Sequence, residues 1–144
     1  MASRRLAKPI AGLARSLWHN RPRMRLFAIR GATSVERNDS QEIVDATTTL
    51  MREIMERNEL APEKVVSCIF TATNDLNAEF PAVAARALGF ESVPLLCARE
   101  IAVPRSLPRV IRVLIHYYAP DEHVQKHVYL GEARALRADL LAAQ

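Results

Sequence analysis

The stretch from Val93 to Val113, VPLLCAREIAVPRSLPRVIRV, decides how the rest of the chain is read. It predicts two strands joined by a loop. Val93 to Cys97 is a short apolar run, Pro104 and Pro108 break the middle, and Val110 to Tyr118 is a long apolar run rich in β-branched residues. Strand alternation puts Arg112 on one face with Val110, Leu114 and His116, so a guanidinium points where apolar side chains also point. A charge so placed needs an anionic partner. Glu100, at the end of the first strand, is one candidate, and a bound ligand is the other.

Upstream, Arg25 to Gly31 reads as a strand whose faces are Arg25, Phe27, Ile29 and Leu26, Ala28, Arg30. The small residues Gly31 to Ser34 are expected to turn there and to let a backbone or ligand approach. Asp39 and Glu42 have the spacing of a capping box, and the apolar stripe Ile43, Thr47, Leu50, Ile54 carries a helix from there to about Arg57. Its neighbours Val44, Met51 and Met55 read as core. Val65 to Thr71 is a nearly continuous apolar run, the pattern of a strand buried on both faces. A short helix over Phe80 to Leu88 begins at Pro81 and stops at Gly89. Asp121 to Val124 suits a helical turn, and Val128 to Leu130 a last strand. The order β, α, β, α, β, β, β describes an α+β domain, one mixed sheet with helices packed on a face.

Composition bounds the function. The chain has 144 residues, 49% of them apolar, enough for a single domain with a real core. No apolar run reaches the ~18–20 residues of a membrane span, so a soluble protein is expected. Cys68 and Cys97 lie in apolar runs without metal-ligand spacing, which fits reduced thiols in the cytoplasm. The net charge of +4 is unevenly spread: six basic residues and no acid fall within residues 1–23, so the remainder carries −2. Residues 1–23 are therefore expected to be a basic extension outside the fold, and residues 24–144 the functional domain. Arg30, Arg86, Arg112 and Arg137 lie in or beside apolar elements, and guanidinium forks suit carboxylates or phosphates. A small, multiply anionic ligand follows, unless each arginine is an ordinary surface or ion-pair residue.

Several separated strings then match one family in order: Ile29 to Thr33 (IRGAT) with Val35 to Arg37, Ala72 to Leu76 with Phe80-Pro81, and Val93-Pro94 with Cys97 and Glu100. Ile111 to Val113, His127 to Tyr129 and Leu136-Arg137 complete the series. In these the chain, from about Met24 to Leu140, resembles the trimeric α/β-type monofunctional chorismate mutases, not the all-helical type. The resemblance implies a ferredoxin-like α+β arrangement assembled as a homotrimeric pseudo-barrel. It implies rearrangement of chorismate to prephenate in aromatic amino acid biosynthesis, with no metal, cofactor or covalent intermediate. Catalysis then comes from holding the reactive shape and placing charges.

Carried over by motif, Arg112 is expected to donate to the ether oxygen and Glu100 to accept from the ring hydroxyl, with Cys97 beside that hydroxyl. Arg30 and Tyr129 are expected to bind a carboxylate, Phe80 and Leu136 to form apolar walls, and Arg86 and Arg137 to add positive charge at the entrance. The site is implied to lie between subunits, with the Phe80 and Arg86 segment supplied by the neighbour. Val83 stands where family members can carry a lysine, which weakens attraction at the mouth. Two other classes compete: a trimeric imine deaminase-like protein of similar architecture, and an anionic-surface or nucleic-acid binder working through the N-terminal arginines. The first lacks the Cys97, Glu100 and Tyr129 combination; the second finds no aromatics interleaved with a basic patch, so no nucleic-acid or membrane partner is expected.

Overall fold

In the computed structural model, residues 21–137 are described. The expected basic extension therefore lies almost wholly outside them, as does the end of the C-terminal segment. Five strands form one mixed sheet in the order β3-β2-β4-β1-β5. They are β1 (Met24–Ser34), β2 (Val65–Ala72), β3 (Leu95–Arg99), β4 (Val110–Pro120) and β5 (Val128–Tyr129). The long strand β4 runs antiparallel between β2 and β1, while β3 and β5 pair parallel at the two edges. Helix α1 (Ser40–Arg57) and the short helix α2 (Ala82–Ala87) cover one face.

Helix α1 starts where its caps dictate. Asp39 is extended, and its carboxylate accepts from the Glu42 N–H at 3.1 Å. Glu42 does not complete the reciprocal half of the box; it accepts instead from the Arg37 N–H at 3.0 Å. The stripe Ile43, Thr47, Leu50, Met51 and Ile54 is buried against Phe27, Ile29, Phe70, Val113, Ile115 and Tyr117 of the sheet. Each large apolar side chain so buried contributes about 1.5–3 kcal/mol.

Three sequence expectations are corrected. Gly31 to Ser34 do not turn; they continue β1, paired with Val113 to Val110. Their smallness serves the helix, because a Cβ on Gly31 would stand 2.7 Å from Ile54 Cδ1 and 3.1 Å from Leu50 Cδ1. Strand β2 is buried on one face only: Cys68 and Phe70 are fully covered, whereas Ile69 and Thr71, which point the other way, are only partly covered. Residues 121–124 form a simple turn and no helix.

The face opposite the helices stays open. Leu26 and Tyr118 are paired across β1 and β4 on that face and are each about half exposed, as is Leu96 on β3. Among the described residues no helix is long and apolar enough to cross a membrane.

Candidate active site

The open face carries several of the polar side chains that the sequence reading singled out, and strand register explains how they meet. Thr71 of β2 pairs with Arg112 of β4, Arg112 pairs with Ala32 of β1, and Ala32 pairs with Tyr129 of β5. These four residues form one row across the sheet. Two residues along, Ile69, Leu114 and Arg30 form the next row. Above the two rows lies a cleft of about 520 Å³, walled also by Glu100 and Leu136. Ala32 has the smallest side chain in its row, so the floor dips between Arg112 and Tyr129.

Glu100 follows β3 directly, and its N–H extends the ladder by donating to Ala72 O at 2.9 Å. Its carboxylate turns over the cleft. Arg112 Nε lies 3.0 Å from Glu100 Oε1, and Thr71 Oγ1 donates to the same oxygen. Glu100 Oε2 and both Nη groups of Arg112 take no protein partner among the described residues. The pair thus presents a free acceptor and a free two-pronged donor side by side. Arg112 is not buried in the single chain, since 47% of its side chain is accessible.

Arg30 enters from β1 with its guanidinium unpaired among the described residues, and its main-chain N–H donates to His127 Nδ1 at 3.0 Å. Burial and the positive charge of Arg30 lower the pKa of His127 below the ordinary histidine value. Tyr129 is half-buried at the opposite wall. Gly131, at φ +58°, lets the chain turn back over β1, where the Glu132 N–H donates to Ser34 Oγ at 2.9 Å. That turn aims Leu136 at the cleft.

The structure gathers Arg30, Glu100, Arg112, Tyr129 and Leu136, and does not bring the remaining residues to them. Phe80 and Cys97 line a separate pocket of about 380 Å³ with Leu76, Pro81 and Arg99. Cys97 shares the helix-side face with its β2 partner Phe70, away from Glu100 Oε1. Phe80 is 67% exposed. Arg86 on α2 and Arg137 are exposed and line neither pocket. Val83 is half-buried in α2. Cys68 is sealed in the core, where burial pushes its thiol up to about 12, so it stays protonated and inert. His116 is satisfied by Ser67 Oγ at 3.1 Å.

Sequence reasoning missed Thr71. It stood at the end of an apolar run that read as buried on both faces, and its contact with Glu100 depends on a register that the run does not encode. Among the described residues no cluster of three or more His, Cys, Asp or Glu is placed to hold a metal ion.

Comparison with known proteins converges on one family. The family model for chorismate mutase type I matches residues 26–140. A chorismate mutase (AroH) of Thermus thermophilus is 49% identical over 119 residues, 81% of this chain and 97% of the relative. Its counterpart in Bacillus subtilis (strain 168) is 42% identical over 120 residues, 81% of this chain and 94% of the relative. A solved chorismate mutase from Clostridium thermocellum superposes with a TM-score of 0.72 at 47% identity, covering 76% of this chain and 98% of that one.

Proposed function

The chain belongs to the chorismate mutase type I family and is an isomerase that rearranges chorismate to prephenate; we propose that the reaction takes place in the cleft above Ala32. The observation that carries this placement is the Arg112–Glu100 pair at 3.0 Å on the cleft wall. The rearrangement breaks the ether C–O bond as a C–C bond forms between the enolpyruvyl terminus and the ring. No proton or electron enters or leaves. The protein has only to hold the reactive shape and to meet the charge separation of the transition state.

Arg112 directs its free Nη groups at the ether oxygen as that atom gains negative charge, and at a neighbouring carboxylate. Glu100 accepts from the ring hydroxyl through Oε2 and favours the cation-like ring. Arg30 and Tyr129 hold a carboxylate, with Leu136 as an apolar wall. The acceleration needed is at the low end of the enzymatic range, roughly 10⁶-fold or about 8 kcal/mol.

A homotrimer completes the site. Chorismate is a dianion, and the cleft's two arginines and one glutamate leave a single net positive charge from this chain. We propose that a second subunit brings Phe80, Cys97 and Arg86 to the open cleft, with Arg137 adding charge at the mouth. The exposed apolar residues Leu26, Phe80, Leu96, Ile101 and Val103 support such an interface. Val83 in α2 leaves the mouth with less positive charge than a lysine would give. We propose that residues 24–144 carry the chorismate mutase function without residues 1–23, so that removal of residues 1–23 leaves turnover and assembly unchanged. Two free thiols suit the cytoplasm, and no nucleic acid or membrane is engaged.

The test is the loss of chorismate absorbance with purified protein and no added metal or cofactor, with the product identified as prephenate. Chorismate that persists in the presence of folded protein would refute the assignment.

A further inference from the structure

The histidine beside the carboxylate-binding wall has no part in the mechanism above, yet it occupies a point where the architecture is thin. Strand β5 is an edge strand of two residues, paired with β1 only at Gly31↔Val128 and Ala32↔Tyr129. Beyond it, the Leu130 N–H donates to Ala32 O at 2.9 Å. Before it, Lys126 is clasped by the buried Asn58 at the end of α1: its N–H donates to Asn58 Oδ1 at 2.7 Å, and its carbonyl accepts from Asn58 Nδ2 at 3.0 Å. His127 lies between these two anchors. Its Nδ1 accepts the Arg30 main-chain N–H at 3.0 Å, where a longer strand would have offered a carbonyl.

We propose that His127 is a positioning residue for the carboxylate-binding end of the cleft, its neutral ring holding the backbone of Arg30 at a fixed distance from Tyr129. Arg30 and Tyr129 sit on different strands, and the residue before Tyr129's strand is the one that grips Arg30. An N–H can donate only to an unprotonated Nδ1, so a proton on that nitrogen removes the bond and sets two N–H groups against each other. The elements packed on this segment bring Arg30 from β1 and the uncharged Asn58 from α1, while Lys126 and Tyr129 flank it along its own segment. Among the described residues no carboxylate pairs with the ring to stabilise its charged form. Partial desolvation and the positive charge of Arg30 both favour the neutral ring.

This inference rests on the placement of Arg30 in the substrate site, and its test separates the two. Steady-state kinetics of the full chain are measured from about pH 5 to 8, the range in which histidine changes charge, for wild type, His127→Asn, His127→Leu and Arg30→Ala. Asparagine places Oδ1 where Nδ1 stands and does not titrate. The expected wild-type KM rises as pH falls, whereas H127N keeps the neutral-pH KM and loses much of that rise. H127L is expected to raise KM roughly five- to tenfold at every pH, with a smaller effect on kcat, as for one lost hydrogen bond to a main-chain donor. A wild-type KM that stays flat, an H127N profile matching wild type, or a wild-type KM in H127L overturns the proposal. If H127L does not fold, the H127N profile decides. An unimpaired R30A would overturn the substrate site itself; an impaired R30A with indifferent His127 variants overturns only the role of His127.

Discussion

Thr71 and Arg112 face each other across the β2–β4 ladder and both bind the same oxygen, Oε1 of Glu100. A carboxylate gripped from two strands cannot swing, so its other oxygen is fixed over the cleft. Glu100 lies outside any regular element, and these two contacts, with its main-chain bond to Ala72, are what give it an orientation. Rigid placement of this kind is how a site without covalent chemistry gains rate, since the donors and acceptors need no rearrangement as charge develops.

Replacing Thr71 by valine keeps the shape and removes the hydroxyl. One of the two grips on Glu100 is lost, and kcat is expected to fall roughly ten- to a hundredfold with little change in KM, the size of one hydrogen bond to a charged group. Stopped-flow or steady-state assay of T71V checks this. Unchanged kcat would mean that Arg112 alone orients the carboxylate.

The proposed sharing of sites between subunits makes a distinct mixing prediction. Arg112→Ala and Arg86→Ala are each expected to be nearly inactive as pure assemblies. Unfolded together and refolded as mixed assemblies, they should regain a measurable part of wild-type turnover, because on the proposed arrangement some clefts then combine an intact Arg112 from one subunit with an intact Arg86 from another. Mixtures no more active than their parents would place the whole site within one chain.

Gly31→Ala tests the packing that straightens β1. The added methyl meets Ile54 Cδ1 at 2.7 Å, with Leu50 and Val113 close behind. Overpacking of a filled core costs about 1–3 kcal/mol, read as a lower midpoint in urea unfolding. A wild-type midpoint would show that α1 shifts freely on the sheet.

Acid should weaken the fold through His127. Its folded pKa is lowered, so between that value and the unfolded value of 6.5 the unfolded chain binds more protons. Stability is therefore complete above about pH 6.5 and declines as pH falls below it, until the folded ring also charges. The difference in unfolding free energy between wild type and H127N isolates this contribution. A difference that does not change between neutral and acid pH would contradict the shift.

Much of this was legible in the residues because local rules and tertiary structure agree. Asp39 caps α1, the stripe from Ile43 to Ile54 is buried, and Pro104 and Pro108 separate two strands, each as spacing and chain chemistry require. Arg112 and Glu100 could be named as partners because a guanidinium among apolar residues demands an anion. Gly31 to Ser34 misled because small residues serve close packing as well as turns, and only the position of α1 distinguishes the two. The β2 run misled for a related reason: its Ile69 and Thr71 side is open in one chain, and apolar composition does not say what covers it. Thr71 and His127 were invisible as site residues because their contacts depend on strand register, which the alternation of side chains leaves free to slide by two.

The most direct measurement is turnover by Arg112→Lys, beside Arg112→Ala, at saturating chorismate with assembly verified by light scattering. Lysine keeps the charge and loses the fork whose Nε reaches Glu100 while its Nη groups are left for the ether oxygen in the proposed mechanism. The expected result is a fall in kcat on the order of 10²–10³-fold in both variants, as for loss of a main transition-state donor, with the oligomer intact. Near wild-type kcat in either variant would contradict the assignment of transition-state stabilisation to Arg112.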